Sequence, residues 1–338
     1  MMNHSEGQVT ALAAYTLLAM GPANPRSDSE WLRHPLIKAT CQHHRAAITG
    51  KRLGSRVLGI GLDSLILALR TLDPTVRGPY LATNPWIGAA LRLTGRKHFV
   101  VTGIYAEPSS RSWKVMRRLL GDAPVITMSH SEAGPWNADG GRAQAVLYGN
   151  SLRYPPKKAT QDLHIFVGGS SDRDPQVIRA LEEEVLESST PVQLTVATGG
   201  PAGETRRGEN VIKRPGYLSQ HEFGELLSTA SVVFLPLASE TRAAGHMVLV
   251  GAVESGIAVS VTPNEGLREY VIAPAVALCH PEQALLPQLR QLADASRAKQ
   301  DEIRAIWANE LSLQSYIARV GELLEQQRGV TSGPSRGP

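Results

Sequence analysis

The second half of the chain alternates short apolar runs with segments of helical spacing. Runs such as "VVFLP" and "IAVSV" are almost entirely apolar, which is typical of strands buried on both faces. The segment "DPQVIRALEEEVLES" lies between two other apolar runs, "LHIFVGG" and "PVQLTVATG". It places four apolar residues on one helix face and Glu182–Glu184 largely opposite. Asp174 followed by Pro175 predicts the start of this helix. The spacing of Ser219 and Glu222 predicts a capping box at another.

Strands alternate with helices in the first half as well, although residues 1–58 give no clear pattern. This alternation predicts parallel sheets covered by helices on both faces. A length of 338 residues favours two domains. The segment "YPPKKATQD", residues 154–162, is typical of a linker between them. The last ten residues, 329–338, are predicted to be a disordered tail.

Composition narrows the function classes. Hydrophobic residues make up 42% and charged residues 20%, as in a soluble globular protein, and the longest apolar run is too short to span a membrane. The net charge is +4, the Arg and Lys residues are scattered along the chain, and aromatic residues make up only 5%. This argues against a nucleic-acid-binding protein and fits a protein that binds anionic small ligands or an acceptor near an anionic surface. Cys41 and Cys279 alone suggest a reducing, cytoplasmic setting. No zinc-binding spacing occurs.

The stretch "AGHMVLVGAVESG" predicts a helix that opens with small residues and a glycine, Gly245. The first backbone N–H groups of a helix have no partner within the helix, and they lie at the positive end of its dipole. A phosphate group is the typical ligand of such an end. We therefore expect an anion site at Gly245, against the alternative of an ordinary helix entry.

Three motifs in the second half resemble those of GT-B glycosyltransferases, in particular the bacterial family-4-like group. They are "FVGGSSDRD", "RPGYLSQHEFGELLSTASVVFLPL" and "AGHMVLVGAVESGIAVSVTPNEGLREYV", in order and at suitable spacing. The resemblance covers about residues 165–271. It implies the GT-B fold, two Rossmann-like α/β domains with parallel sheets facing across a cleft. The acceptor domain would be 1–153, the nucleotide-sugar domain 163–310, and a terminal helix, 311–328, would pack back on the first domain.

The resemblance also implies which residues meet the nucleotide sugar. Arg173 would neutralise the leaving diphosphate, against the alternative of an ion pair with a neighbouring aspartate. Glu240 would bind sugar hydroxyls. The predicted catalytic residues are Arg173, Glu240 and His130. The predicted nucleotide-sugar contacts are Gly168, Gly169, Gly216, Tyr217, Leu218, Thr241, Gly245, His246, Met247 and Glu254. The His246 side chain could donate to a phosphate oxygen, and a solvent or capping role is the alternative.

Departures from the family pattern affect the ribose site. Gly251 stands where the family usually has a ribose-binding glutamate, His246 where glutamine is common, and Ala258 where proline is common. Glu254 follows three residues later, near the same helix face. Either Glu254 or another group reaches the ribose, or the ribose is held weakly. We also expect Gly251→Glu to fold and to bind a nucleotide sugar more tightly, unless Gly251 serves close packing.

Several further polar residues follow predicted strands. In the first half, His130, Glu107 and Asn84 could each contact the acceptor, and His130 or Glu107 could act as a general base. A loop position without function is the alternative for each. Arg214 is a weaker candidate in the second half, with a solvated strand-end charge as its alternative.

The predicted function is transfer of a sugar from a UDP- or GDP-linked donor to an unidentified acceptor. The resemblance implies retention at the anomeric carbon without a fixed metal, and inversion assisted by a base such as His130 stays open. The nucleotide sugar is a substrate, so no cofactor is expected. A homologue that binds without transfer, or a sugar-nucleotide epimerase, are the alternatives. Peripheral membrane association and the oligomeric state stay open.

Overall fold

A computed structural model describes residues 14–20, 25–43, 56–159, 162–241 and 244–331. The fold is α/β, with two mainly parallel sheets and helices between successive strands. This confirms the alternation predicted from the sequence. Residues 329–331 of the predicted disordered tail are helical, and residues 332–338 lie outside the described residues.

The strands of the two sheets are as follows. The first sheet contains β1 (Tyr15–Met20), β2 (Ile37–His43), β3 (Tyr80–Ala82), β4 (Phe99–Thr102), β5 (Pro124–Thr127) and β6 (Arg142–Ala145). The second contains β7 (Leu163–Gly168), β8 (Val192–Ala197), β9 (Gly203–Arg207), β10 (Asn210–Arg214), β11 (Val232–Leu235), β12 (Val259–Val261) and β13 (Val276–Leu278).

The helices follow the same alternation. They are α1 (Pro25–Leu32), α2 (Arg56–Arg70), α3 (Pro85–Leu93), α4 (Arg111–Leu120), α5 (His130–Ala138), α6 (Pro175–Glu187), α7 (Gln220–Leu227), α8 (His246–Ser255), α9 (Leu285–Ser296), α10 (Gln300–Ile306) and α11 (Leu313–Thr331). A 3₁₀ helix spans Glu265–Tyr270, and a π-helical turn spans Trp307–Leu311. None of the helices among the described residues has both the length and the apolar content to cross a membrane.

The strand order is β2-β1-β3-β4-β5-β6 in the first sheet and β13-β12-β11-β7-β8-β10-β9 in the second. In the second sheet only β9 runs antiparallel to its neighbour, β10. The strands β7, β11 and β12 are adjacent and parallel at its centre. Their carboxyl ends therefore lie at one edge, where open α/β sheets bind their ligands.

The chain divides into two compact units. One contains residues 1–105, 115–126 and 321–338, and the other contains residues 106–114 and 127–320. The second unit thus holds the whole second sheet together with Glu107 and His130. In the first unit, Gly321 of α11 lies against the imidazole of His34. The domain boundaries proposed from the sequence stay a prediction.

Local signals read from the sequence are confirmed at several helix starts. The Asp174 carboxylate accepts hydrogen bonds from the backbone N–H groups of Gln176 and Val177, at 2.8 and 3.2 Å. Ser219 and Glu222 form the reciprocal bonds of a capping box. Asn84 caps α3 by accepting from the Trp86 N–H at 2.9 Å. Its side chain is therefore occupied by a structural role, and the acceptor contact suggested for it is not supported.

Candidate functional site

Two neighbouring loops at the carboxyl edge of the second sheet form the framework of the candidate site. The loop after β7 contains Gly168 to Asp174, and the loop after β11 begins at Pro236. Arg173 forms an antiparallel bridge with Leu237, and the Asp174 N–H donates to the Pro236 carbonyl at 2.9 Å. The two loops are therefore fixed to each other by backbone hydrogen bonds.

The Arg173 guanidinium is held in this turn by backbone carbonyls. Its Nε donates to the Gly168 carbonyl and its Nη1 to the Ser171 carbonyl, both at 2.8 Å. Among the described residues, neither Asp172 nor Asp174 forms an ion pair with it. Burial lowers the pKa of Arg173 to about 10, so the group stays charged at neutral pH. The guanidinium is thus held by neutral carbonyls, and the Asp172 carboxylate acts on it only at longer range, where it opposes the fall in the Arg173 pKa.

Glycines make room for this guanidinium. Gly169 has φ +87°, and an ideal Cβ there would lie 2.7 Å from Nη2 of Arg173. Gly245 has φ +86°, and its Cβ would lie 3.4 Å from the same nitrogen. Left-handed backbone of this kind favours glycine at both positions. Arg173 is thus adjacent both to the Gly169 turn and to the residue that caps α8.

The N-terminus of α8 completes a set of donors that face one small region. α8 begins at His246, directly after Gly245, so its first backbone N–H groups lie beside the Arg173 guanidinium. A fixed positive charge and the positive end of a helix dipole both favour an anion. The arrangement can therefore bind a phosphate or diphosphate group.

The His246 side chain does not take part in this arrangement as expected. It is only 5% exposed, and its ring lies edge-on against Tyr270, with centroids 4.8 Å apart. Tyr148 packs on it at 6.0 Å. The imidazole thus belongs to an aromatic cluster, and the proposed side-chain bond to phosphate is wrong. Met247 is half-exposed, and its sulfur accepts a hydrogen bond from the Tyr148 hydroxyl at 3.0 Å.

Three of the residues predicted to contact the nucleotide sugar, Gly216, Tyr217 and Leu218, lie in the turn between β10 and α7. Gly216 has φ +79°, and Tyr217 is 94% exposed, whereas Leu218 packs against the core. Arg214, at the end of β10, forms an ion pair with Glu182 of α6. It therefore has a structural partner, and a role in donor binding is not supported.

The loop after β11 also brings Glu107 into the site. The Ser239 and Thr241 hydroxyls donate to Oε1 of Glu107 at 3.0 and 2.7 Å. Glu240, between them, is exposed, and its carbonyl accepts from the Glu265 N–H at 2.7 Å. Thr241 thus holds a carboxylate, and the Glu240 carboxylate faces solvent.

His130 is the first residue of α5, not a loop residue. Its Nδ1 lies 2.8 Å from Oε1 of Glu269, and its backbone N–H donates to the same oxygen at 2.9 Å. The next residue, Ser131, donates to the Thr241 carbonyl at 3.0 Å. Sequence reasoning missed Glu269, which lies 139 residues away and follows no recognisable signal.

Glu254 is not placed for a ribose. Its carboxylate is 7% exposed and accepts from the backbone N–H groups of Leu152 and Arg153, at 2.8 and 3.0 Å. Burial raises the pKa of this carboxyl, although the N–H groups oppose the rise. Both oxygens are used to fix the segment before the predicted linker, so the predicted ribose contact is wrong.

We expect Glu254→Gln to lower the free energy of unfolding by about 1–3 kcal/mol, because an amide NH₂ then faces a buried backbone N–H. The folded-state pKa lies above the ordinary 4.5, so the folded chain holds this proton more tightly than the unfolded chain. The contribution of Glu254 to the free energy of unfolding therefore falls as the pH rises from 4.5 through the folded-state pKa. Urea unfolding should show a larger loss near pH 4.5 than at pH 7.

The matched control for this prediction is Glu183→Gln, which changes an exposed glutamate of α6. It should leave the unfolding free energy within about 0.5 kcal/mol of the parent. Equal stability of parent and Glu254→Gln at both pH values would contradict the structural role given to Glu254.

Gly251 does not face an open ribose pocket either. An ideal Cβ at Gly251 would lie 2.5 Å from a ring carbon of Tyr154 and 2.9 Å from Cδ1 of Leu152. Gly224 of α7 is in contact with the same tyrosine ring, which its Cβ would approach to 2.4 Å. Close packing is thus the reason for the glycine, and the expectation that Gly251→Glu folds and gains affinity is not supported.

Comparison with known proteins fixes the fold. No family model and no curated protein sequence match the chain. In structure it is similar to sucrose-phosphate synthase from Thermosynechococcus elongatus, with a TM-score of 0.67 and 14% identity over 94% of this chain and 100% of that one. It is also similar to HepE from Anabaena in complex with UDP-glucose, with a TM-score of 0.64 and 13% identity over 93% and 99% of the two chains.

A UDP-N-acetylglucosamine 2-epimerase is a further structural relative, with a TM-score of 0.52 and 10% identity over 96% of this chain and 100% of that one. At such identities the likeness establishes the fold alone. The protein has the GT-B fold of the glycosyltransferases, as the sequence motifs predicted.

Proposed function

We propose that this protein is a glycosyltransferase that moves a hexosyl unit from a nucleoside-diphosphate sugar to an acceptor. One observation carries the proposal: the Gly169 turn, the Arg173 guanidinium and the N-terminus of α8 converge at the carboxyl edge of the second sheet. A diphosphate fits this set of donors, because each of them favours negative charge.

The chemical role of these groups follows from where charge develops. When the bond between the sugar and the diphosphate breaks, negative charge grows on the leaving oxygen. A guanidinium that is already held in place stabilises this charge without reorganising. We therefore propose that Arg173 and α8, rather than a fixed metal ion, assist departure. The UDP-glucose complex of the HepE relative supports a UDP-linked donor.

Two features bear on stereochemistry. The resemblance to family 4 favours retention, which requires no side-chain base. The contact between His130 and Glu269 supports the second route left open by the sequence, direct displacement assisted by a base. The acceptor would be a hydroxyl compound bound near His130.

Two other functions have specific support. The departure from the family pattern at Gly251 motivates a homologue that binds without transfer, and the epimerase of similar structure motivates an epimerase. Incubation with UDP-, GDP- and dTDP-sugars followed by mass spectrometry separates them. Transfer or hydrolysis releases the sugar from the nucleotide. An epimerase changes the sugar without a glycosylated product, and a binding protein leaves the donor intact.

We expect UDP to bind at least about tenfold more tightly than uridine, a difference of about 1.4 kcal/mol. The reason is that Arg173 and the α8 dipole act only on the phosphates. Isothermal titration calorimetry at constant salt measures both affinities. The preference should shrink in Arg173→Ala, where only the α8 dipole remains, and should keep its parental size in Arg179→Ala, which changes an exposed arginine of α6. Equal affinities for nucleoside and diphosphate, with guanosine and GDP also equal, would contradict the phosphate site.

A further inference from the structure

The Glu269 carboxylate contacts His130. Both hydrogen bonds that it accepts from the described residues come from His130, one from the backbone N–H and one from the imidazole. Both reach the same oxygen, Oε1. The other oxygen, Oε2, is buried and has no partner among the described residues. Among the described residues, the contact with His130 is therefore the one polar contact that the Glu269 carboxylate makes.

The geometry sets the tautomer of the imidazole. An ionised carboxylate only accepts hydrogen bonds, so Nδ1 of His130 must carry the proton in the contact with Glu269. In the neutral ring Nε2 then has a free lone pair. The His130 side chain is 78% exposed, whereas that of Glu269 is 29% exposed. The held nitrogen is thus partly buried, and the rest of the ring is accessible.

This pair is anchored to the loop that leads to the phosphate site. Ser131 donates to the carbonyl of Thr241, which precedes Gly245 by four residues. The same threonine donates to Glu107. α5 is thereby fixed to the loop that follows β11.

We infer that Glu269 is a positioning residue that fixes His130 as the base for the acceptor hydroxyl. The inference rests on the proposed transferase function. The acceptor oxygen forms a bond to the anomeric carbon while the bond from that carbon to the diphosphate oxygen breaks. The electron pair leaves with the diphosphate, and the acceptor proton passes to Nε2 of His130. Glu269 stabilises the imidazolium that results. Attack opposite the leaving group inverts the anomeric carbon.

A purely structural role for Glu269 is the competing interpretation. The His130 N–H lies in the first turn of α5, and the Ser129 side chain at the N-cap makes no capping bond, so Glu269 takes that place. Glutamine can still accept from this N–H, but it is neutral and cannot hold an imidazolium. Glu269→Gln therefore separates the two roles: capping predicts a small change in stability, and positioning predicts a change in chemistry and tautomer.

The test uses hydrolysis of UDP-glucose, with water as the acceptor, followed by proton NMR. Because the donor is an α-glucoside, inversion releases β-glucose first. In Glu269→Gln we expect kcat to fall about tenfold or more, with KM for UDP-glucose within about threefold of the parent. Glu265→Gln is the matched control in the same 3₁₀ helix, where the side chain is exposed and pairs with Arg268. It should retain the parental kcat.

A second measurement does not depend on turnover. Nitrogen-15 NMR of the histidine-labelled protein should show the neutral His130 ring protonated at Nδ1, with assignment by His130→Gln. In Glu269→Gln the proton should move largely to Nε2. Formation of α-glucose first, an unchanged kcat in Glu269→Gln, or a parental ring protonated at Nε2 would each overturn the inference. If the parent released no glucose, the panel of UDP-, GDP- and dTDP-sugars would decide the proposed function, and the tautomer would still decide whether Glu269 positions the ring.

Discussion

Alanine in place of Arg173 is expected to reduce kcat for UDP-glucose by about 100- to 1,000-fold, or about 2.7–4 kcal/mol of barrier. The guanidinium is held by the carbonyls of Gly168 and Ser171, beside the N-terminus of α8. In the proposed reaction it would supply a fixed positive charge beside the leaving oxygen, on which negative charge develops. Kinetics by release of UDP measure the loss.

Folding must be separated from chemistry in this variant, because Arg173 also fixes its own turn. Loss of two bonds to backbone carbonyls costs roughly 1–3 kcal/mol of stability in total, which circular dichroism and urea unfolding can quantify. Arg173→Lys keeps the positive charge but loses the planar guanidinium with its several N–H donors, so an intermediate kcat is expected. Arg179→Ala should match the parent. A folded Arg173→Ala enzyme with parental kcat would remove Arg173 from the site.

Gly251→Ala is expected to lower the free energy of unfolding by about 1–3 kcal/mol, as overpacking does in well-packed interiors. The added carbon would lie 2.5 Å from the Tyr154 ring, which is rigid and is itself packed against Gly224. Gly251→Glu introduces a longer side chain at the same contact and should be more destabilising. Urea unfolding of the variants measures both.

Two controls make this prediction specific. Gly61→Ala, in α2, meets no atom within 4 Å, and it should gain stability by up to about 1 kcal/mol. In the double variant Gly251→Ala/Tyr154→Ala the ring is absent, so the combined loss should be smaller than the sum of the single losses by about 1 kcal/mol or more. Strict additivity would show that the two residues do not compete for space.

The loops of the proposed phosphate site could be predicted because their sequence signals are local. A Gly-Gly turn after a strand, an arginine before a helix cap, and a glycine before a helix follow from short patterns with a physical meaning. The structure brings Gly169, Arg173 and Gly245 together as that reading implies. The parallel order of the sheet, in which β7 lies beside β11, explains why these separate loops meet.

The side of α8 that faces each neighbour could not be read from the sequence. Val248 to Ser255 are all buried, so the helix shows no polar face that would set its orientation. Family spacing placed Gly251 and Glu254 at a ribose. The structure places both against Leu152 and Tyr154 instead. A spacing of three residues indicates a shared face, but not what that face contacts.

Two elements escaped detection for different reasons. α5 has no amphipathic pattern and contains Pro135, so the pattern suggested a loop at His130. β9 is exposed along its whole length and pairs only at the sheet edge, so it lacks the apolar signal of a buried strand. The pairing of His130 with Glu269 depends on the tertiary placement of α5, and no pattern within either segment could show it.

The segment around Tyr154 bears on how the protein can be divided for experiments. Its backbone donates from Lys157 to the Ser255 carbonyl and from Lys158 to the Ser228 carbonyl, each at 2.8 Å, while Glu254 holds the residues just before. We therefore expect these bonds to slow proteolysis of the segment, because proteases cleave chains that can be pulled into an extended form. A recombinant fragment that starts at β7 would lose them and would expose Gly224 and Gly251. A fragment of the second sheet that is meant to fold alone should therefore start upstream of Leu152.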